Sequence, residues 1–111
     1  MGILFSDNNA PKTSYTPSEL ISEMKKREDI LLIDIRESHE LAQGEIENAL
    51  HIPIEQIPDK MGTLPKHKDL ILFCHDGTES KRVRNYLQKG GFYKVAYLKG
   101  GIKRWKKEVA V

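Results

Sequence analysis

The sequence predicts an α/β fold: a central, mostly parallel sheet of about four or five strands with helices on both faces. Residues 30–33 and 70–74 are apolar at every position, which is typical of strands covered on both sides. Segments with helical periodicity alternate with these strands, and such alternation favours parallel pairing. The length of 111 residues suits one domain.

The first helix has the clearest boundary in the chain. Thr16 is expected to cap it, with Pro17 at its first position and Glu19 completing a capping box. The later elements are predicted from apolar periodicity and from Gly and Pro positions. Four strands are expected, at 29–35, 48–53, 70–74 and 95–98. Between the first two lie helical turns at 37–43 ended by Gly44, and a weak helix and loop follow at 54–65. Two further helices are expected, one from about Ser80 to a Gly90 cap with Val83, Tyr86 and Leu87 inward, and one at 100–107 anchored by Trp105.

Residues 14–111 are expected to form the single domain and residues 1–13 a flexible N-terminal tail, because the latter are polar and rich in turn residues. No apolar run is long enough to cross a bilayer, and the first residues lack the pattern of a secretory signal. We therefore expect a cytoplasmic protein that does not bind membranes.

The charges are distributed unevenly along the chain. Residues 1–73 carry 8 Lys and Arg against 13 Asp and Glu, whereas residues 75–111 carry 10 against 3. Few of the latter cations are arginines and no aromatic platform accompanies them, so we expect no nucleic-acid partner. A solvated basic face or a docking surface for an acidic protein partner is the preferred interpretation. One cysteine and four scattered histidines predict no metal site and no cofactor.

Cys74, the only cysteine, is predicted as the last residue of a central strand, where parallel sheets place their ligands. The next segment must turn into a helix, and Gly77 supplies the backbone freedom for that turn. Such a turn directs N–H groups inward and would favour a reactive thiolate. Position alone leaves a second interpretation open, in which Cys74 is a small apolar core residue.

Three groups of residues in order resemble the rhodanese-like family, over about residues 15–107. The first group consists of Asp34, Arg36, Glu40, Gly44, Glu45, Ile46, Ala49, Ile52 and Pro53. The second group is Cys74 to Gly77, a Cys-x-x-Gly motif before a helix. The third group consists of Leu98, Gly100, Gly101, Ile102 and Trp105.

The resemblance implies a sulfurtransferase in which Cys74 is the nucleophile. Cys74 would take sulfur from a small anionic or thiol-bound donor, hold it as a persulfide, and pass it to a thiol, cyanide or a protein. The backbone of the following loop would bind the anionic groups, and Asp34 and Arg36 would support the site, with an ion pair that fixes their turn as the preferred role. The loop consists of His75, Asp76, Gly77, Thr78, Glu79 and Ser80.

The loop departs from the family pattern at two positions that are often basic, which here are His75 and Glu79. Asp76 adds a second carboxylate. Like charges about 4 Å apart repel by ~1 kcal/mol in water and ~4 kcal/mol at an effective dielectric constant of about 20. We therefore expect weak activity with thiosulfate. His75 is expected to face solvent, and Ser80 to cap the helix rather than act as a nucleophile.

Two other functions compete with sulfur transfer. One is a binding or regulatory module that keeps the fold but transfers sulfur only slowly. The acidic loop and the basic C-terminal part favour this interpretation. A cysteine-dependent phosphatase needs an arginine six positions after the cysteine, where this chain has Ser80. The phosphatase is therefore the least favoured of the three.

Overall fold

The computed structural model describes residues 11–109 of the chain. Five strands and four α-helices lie within this range. The strands are β1 (Ser14–Tyr15), β2 (Ile30–Asp34), β3 (Leu50–His51), β4 (Asp69–Phe73) and β5 (Val95–Leu98), and the helices are α1 (Pro17–Lys26), α2 (Ile57–Lys60), α3 (Thr78–Lys89) and α4 (Gly101–Glu108), with 3₁₀ segments at Ser38–Gln43, Ile54–Gln56 and Met61–Thr63.

The five strands form one parallel sheet in the order β1-β5-β4-β2-β3. The predicted α/β fold is confirmed. β4 lies at the centre and pairs with β2 along its full length, from Ile30 opposite Asp69 to Asp34 opposite Phe73. The carboxyl ends of β2 and β4 are therefore adjacent, and whatever follows them in the chain meets at one edge of the sheet.

The two faces of the sheet carry separate apolar cores. Alternate residues of β4 divide between them, with Leu70 and Leu72 in one and Ile71 and Phe73 in the other. Helices α2 and α3 cover the first face through Ile57, Val83 and Leu87, and Cys74 belongs to this core. Helices α1 and α4 cover the second face through Leu20, Ile102 and Trp105.

The predicted start of α1 and the predicted end of α3 are confirmed. The Thr16 and Glu19 capping box forms at the start of α1. Gly90 ends α3, and its N–H bonds back to the carbonyls of Tyr86 and Leu87. None of the helices between residues 11 and 109 is long and apolar enough to cross a membrane.

The structure differs from the sequence-based prediction in several local features. The two-residue strand β1 was not predicted. Helix α3 begins at Thr78 instead of near Ser80, and β4 ends one residue before Cys74. Tyr86 does not face inward but is 48% exposed. Residues 1–10 of the expected tail lie outside the described range, so the division of the chain at residue 14 stays a prediction.

Candidate active site around Cys74

Cys74 is the first residue of the turn that joins β4 to α3. The turn is short because Gly77, with φ of 96°, adopts the left-handed conformation and serves as the N-cap of α3. A Cβ atom at this position would lie 3.1 Å from the backbone nitrogen of Gly100, so a side chain would be both strained and crowded. The glycine thus brings the helix start back over the sulfur.

The Sγ atom of Cys74 accepts two backbone hydrogen bonds. Gly77 N–H donates to it at 3.2 Å and Ser80 N–H at 3.3 Å. The thiol in turn donates to Ser80 Oγ at 3.4 Å, and this hydroxyl donates to the carbonyl of Gly77 at 3.3 Å. Donors that already point at the sulfur stabilise negative charge on it.

Ser80 is not the helix cap that the sequence predicts. Because Gly77 takes the cap position, Ser80 falls within the first turn of α3, where it is fully buried at 0% exposure. Both its N–H and its hydroxyl face Cys74. The shorter turn therefore converts a capping residue into a direct partner of the sulfur.

Cys74 lies beneath a more open rim. Only 1% of its surface is exposed, whereas His75, Asp76, Thr78 and Glu79 are all exposed. The exposure of His75 is as expected from the sequence. The structure therefore brings the sulfur and the inward amides together at the bottom of the loop and leaves the polar side chains around its edge.

The rim carries negative charge. Asp76 Oδ1 accepts the N–H of Thr78 at 3.0 Å, and this hydrogen bond lowers the pKa of the Asp76 carboxyl below its ordinary value. Asp76 is therefore ionised throughout the neutral and mildly acidic range. Glu79 adds a second exposed carboxyl group in the first turn of α3.

Asp34 and Arg36 form a buried ion pair beside the loop. Arg36 Nη2 lies 2.8 Å from Asp34 Oδ2, and both residues are only 2% exposed. Arg36 also donates to the carbonyls of Glu40 and Gly44, at 3.2 and 2.7 Å. Within residues 11–109, the hydrogen bonds of the Arg36 side chain go to Asp34 and the segment at 40–44, which is the turn-fixing arrangement.

The start of α4 holds the loop from behind. Ile102 N–H donates to the carbonyl of Cys74 at 2.9 Å, and Lys103 N–H donates to that of His75 at 3.0 Å. A Cβ atom on Gly101 would lie 2.5 Å from the His75 carbonyl oxygen, so only glycine permits this approach. This contact is not among the sequence-based expectations, although the Gly100-Gly101 pair is a signal for it.

The fold and the site together define a class: a parallel α/β domain whose cysteine, at the end of the central strand, is held by the amides of the next turn. Comparison with known proteins gives the family. The sequence-family model of the rhodanese-like domain matches residues 16–108, and the chain belongs to this family.

Relatives extend over most of the chain. A sulfurtransferase of Allochromatium vinosum is 40% identical, over 79% of this chain and 83% of its own length. A putative sulfurtransferase of Bacillus subtilis, YtwF, is 42% identical over 73% of this chain and 78% of its own. The crystal structure of a rhodanese-like domain protein from Staphylococcus aureus superposes with a TM-score of 0.79 at 30% identity, covering 88% of this chain and 95% of that one.

Proposed function

We propose that this chain, a rhodanese-type sulfurtransferase, carries sulfane sulfur as a persulfide on Cys74. The observation that carries the proposal is the pair of N–H groups, of Gly77 and Ser80, that lie 3.2 and 3.3 Å from Sγ. Family membership and the sulfurtransferase relatives support the class of reaction. The cytoplasm is the compartment that we propose for it.

The reaction has two displacements. The Cys74 thiolate attacks the outer sulfur of the donor, the donor's S–S bond breaks, and its inner part leaves with the electron pair as sulfite or a thiolate. Cys74 then holds a persulfide anion. An acceptor thiolate or cyanide attacks the terminal sulfur, and the Cys74 thiolate leaves with the electron pair.

Each loop residue has a place in this scheme. The amides of Gly77 and Ser80 would stabilise the thiolate, and the Ser80 hydroxyl could turn from the Gly77 carbonyl to the charged sulfur. His75, Asp76, Thr78 and Glu79 form the exposed rim that a donor passes. The carboxylate of Asp76 disfavours a dianion there, so a protein or thiol persulfide is proposed as a better donor than thiosulfate.

Mass spectrometry of the intact protein tests the proposal. Incubation with an inorganic polysulfide should add one sulfur atom, removable by cyanide or a reducing thiol. Because Cys74 is the only cysteine in the chain, Cys74→Ser should abolish the gain. A folded wild-type protein that gained no sulfur from polysulfide or from a thiol persulfide would contradict the proposal.

One observation favours a second candidate, a binding module with the family fold and little turnover: Cys74 is only 1% exposed. Such a module would hold its partner equally well after Cys74→Ser. The two candidates separate in a multiple-turnover assay with a thiol persulfide donor and cyanide. Many thiocyanate molecules per protein support the enzyme, and fewer than one supports the module.

A further inference from the structure

Helix α4 presents a basic face beside the candidate active site. Ile102 and Trp105 are buried against the sheet. Lys103, Lys106 and Lys107 are exposed. The mechanism proposed above uses none of these lysine side chains.

The basic residues of α4 differ in how they are engaged. Arg104 Nε is paired with Glu108 Oε2 at 2.6 Å, and Lys106 Nζ donates to the carbonyl of Gln43 across the edge of the site. Lys103 and Lys107 make no ion pair within the part of the chain that the structure describes. Their two ammonium groups are therefore available to an outside anion.

Lys103 and Lys107 form a ridge between two clefts. One cleft, of about 270 Å³, has no carboxylate in its lining and reaches the loop at His75. The other, of about 350 Å³, reaches the loop at Asp76. Both clefts are lined by Lys103 and Lys107, the first also by Gln43, His75, Ile102 and Lys106, and the second also by Asp76, Gly100, Arg104 and Glu108.

We propose that Lys103 and Lys107 bind two carboxylates of an acidic segment on a protein that exchanges sulfur with Cys74. This inference rests on the proposed function and adds the class of its partner. The backbone bond between Lys103 N–H and the His75 carbonyl, at 3.0 Å, fixes the ridge relative to the loop. A partner bound at the ridge is thereby placed next to the sulfur.

The geometry suits an extended chain. Residues i and i+4 of a helix lie on one face with Cβ atoms about 5–6 Å apart. In an extended segment, alternate side chains point the same way about 6.6 Å apart. A Glu-x-Glu segment laid along α4 therefore matches the spacing of Lys103 and Lys107.

A compact anion is a poorer match for the same surface. In the larger cleft it would meet the carboxylates of Asp76 and Glu108, of which Asp76 has a lowered pKa. A protein segment separates the two tasks, because its carboxylates contact the ridge while its sulfur enters the loop. Neither cleft is lined by Phe, Tyr or Trp, the larger aromatic platforms on which nucleic-acid bases stack.

Matched peptides test the inference. Cys74 is first loaded with sulfur from polysulfide, and transfer is then followed to a peptide with one cysteine and a Glu-Ser-Glu segment. The comparison peptide has Gln-Ser-Gln instead. Wild-type protein should transfer to the glutamate peptide faster by roughly twofold to thirtyfold, as expected for two exposed ion pairs, and salt should reduce the preference.

The variant Lys103→Gln/Lys107→Gln should lose this preference and keep the rate with the glutamine peptide. The control Lys66→Gln/Lys89→Gln also removes two charges, at the far end of α3, a helix of 12 residues and so roughly 18 Å long, and should keep the preference. Equal rates with both peptides in the wild type would overturn the inference and leave the proposed function intact. If Cys74 takes no sulfur at all, the proposed function fails instead.

A binding measurement keeps the inference testable without chemistry. A fluorescent Glu-Ser-Glu peptide with serine in place of cysteine should bind wild-type protein at low salt more tightly than Lys103→Gln/Lys107→Gln. Equal binding by the two proteins would overturn the inference. Tighter binding of a single-stranded oligonucleotide through the same two lysines would assign the ridge to nucleic acid and overturn it as well.

Discussion

Two buried polar groups lie side by side at the carboxyl ends of β2 and β4, yet they differ in how their charge is compensated. At the end of β2, Asp34 and Arg36 neutralise each other, and the remaining donors of Arg36 bind backbone carbonyls. At the end of β4, Cys74 receives two N–H donors on a sulfur that is neutral as a thiol.

The difference separates a site whose charges are already balanced from one that favours an added negative charge. The ion pair is complete as it stands, and any change of charge within it leaves a buried partner uncompensated. The cysteine site holds more hydrogen-bond donors than a neutral thiol requires. The hydrogen bonds from these donors become stronger when negative charge forms on the sulfur. The exposed fraction is almost the same, 2% for Arg36 and 1% for Cys74, so burial alone does not distinguish the two sites.

The largest expected effect is on stability at the β2 site. Arg36→Leu leaves the Asp34 carboxylate buried without its partner and should lower the free energy of unfolding by about 3–5 kcal/mol. Urea unfolding measures this loss. The double variant Asp34→Leu/Arg36→Leu removes both charges and should recover part of it. If the double variant is no more stable than Arg36→Leu, the unpaired Asp34 charge is not the cause of the loss.

Cys74→Ser is the matched change at the β4 site. Serine accepts the same two N–H groups, so its stability should lie within about 1 kcal/mol of the wild type. A loss as large as that of Arg36→Leu would mean that both sites are structural.

The second effect is on rate. Ser80→Ala removes the hydroxyl beside Sγ and should slow persulfide formation about tenfold, since a hydrogen bond to a charged group contributes about 1.5 kcal/mol or more. The melting temperature should change little, because the Gly77 carbonyl still accepts the N–H of Lys81 at 3.1 Å. Rapid-mixing kinetics with a thiol persulfide, alongside calorimetry, separates rate from stability. An unchanged rate would exclude this hydroxyl from the chemistry.

The third effect concerns the rim of the cysteine site. Asp76→Asn removes a negative charge but keeps an oxygen that can accept the N–H of Thr78. The KM for thiosulfate should fall roughly fivefold, which corresponds to the repulsion of about 1 kcal/mol expected near 4 Å in water. A thiol persulfide that also carries an ammonium group, and so has no net charge, is the control and should show a much smaller change. The same fall in KM for both donors would indicate a steric cause.

The smallest effect concerns a partly buried ion cluster around Arg27. Arg27 binds Glu23, Asp29 and Asp69 at 3.0, 2.8 and 2.6 Å. Arg27→Gln should cost about 1 kcal/mol at neutral pH, because ion pairs that water still reaches contribute little. Lys26→Gln, which loses only a 3.7 Å contact with Glu23, should cost less.

The Arg27 effect should depend on pH in a defined direction. Hydrogen bonds from Arg27 lower the pKa of Glu23 and of Asp29. Their stabilisation is therefore complete above the ordinary carboxyl pKa of about 4 and is lost as the pH falls through the lower folded values. Urea midpoints of wild type and Arg27→Gln should converge in acid. A difference between the two midpoints that grew in acid would contradict the expected direction of the pH dependence.

The sequence predicts most of the fold because its strongest signals are local. Continuous apolar runs mark β2 and β4, and the capping box marks α1. The strand β1 escapes prediction because its pairing uses main-chain groups, such as the Lys99 N–H bonded to the Tyr15 carbonyl at 2.8 Å. Tyr86 misleads because its helical position matches the inward face, while in the structure it borders an open groove with Ile57 and Val83.

The candidate site is predictable only in part. Cys74 and Gly77 stand in a motif, so their roles can be inferred from the chain itself. The role of Ser80 depends on the length of the turn, which the left-handed Gly77 sets. The contact of Lys106 with Gln43 joins distant parts of the chain and leaves no local pattern. The contact of the α4 amides with the loop leaves only the Gly100-Gly101 pair as a signal.

The close approach at Gly101 also joins the loop after Cys74 to the start of α4. A motion that separates the loop from α4 must stretch the bonds from Ile102 and Lys103 to the carbonyls of Cys74 and His75. The amide NMR signals of these two residues should therefore report loop opening directly. They offer a spectroscopic probe of turnover in which the cysteine itself carries no label.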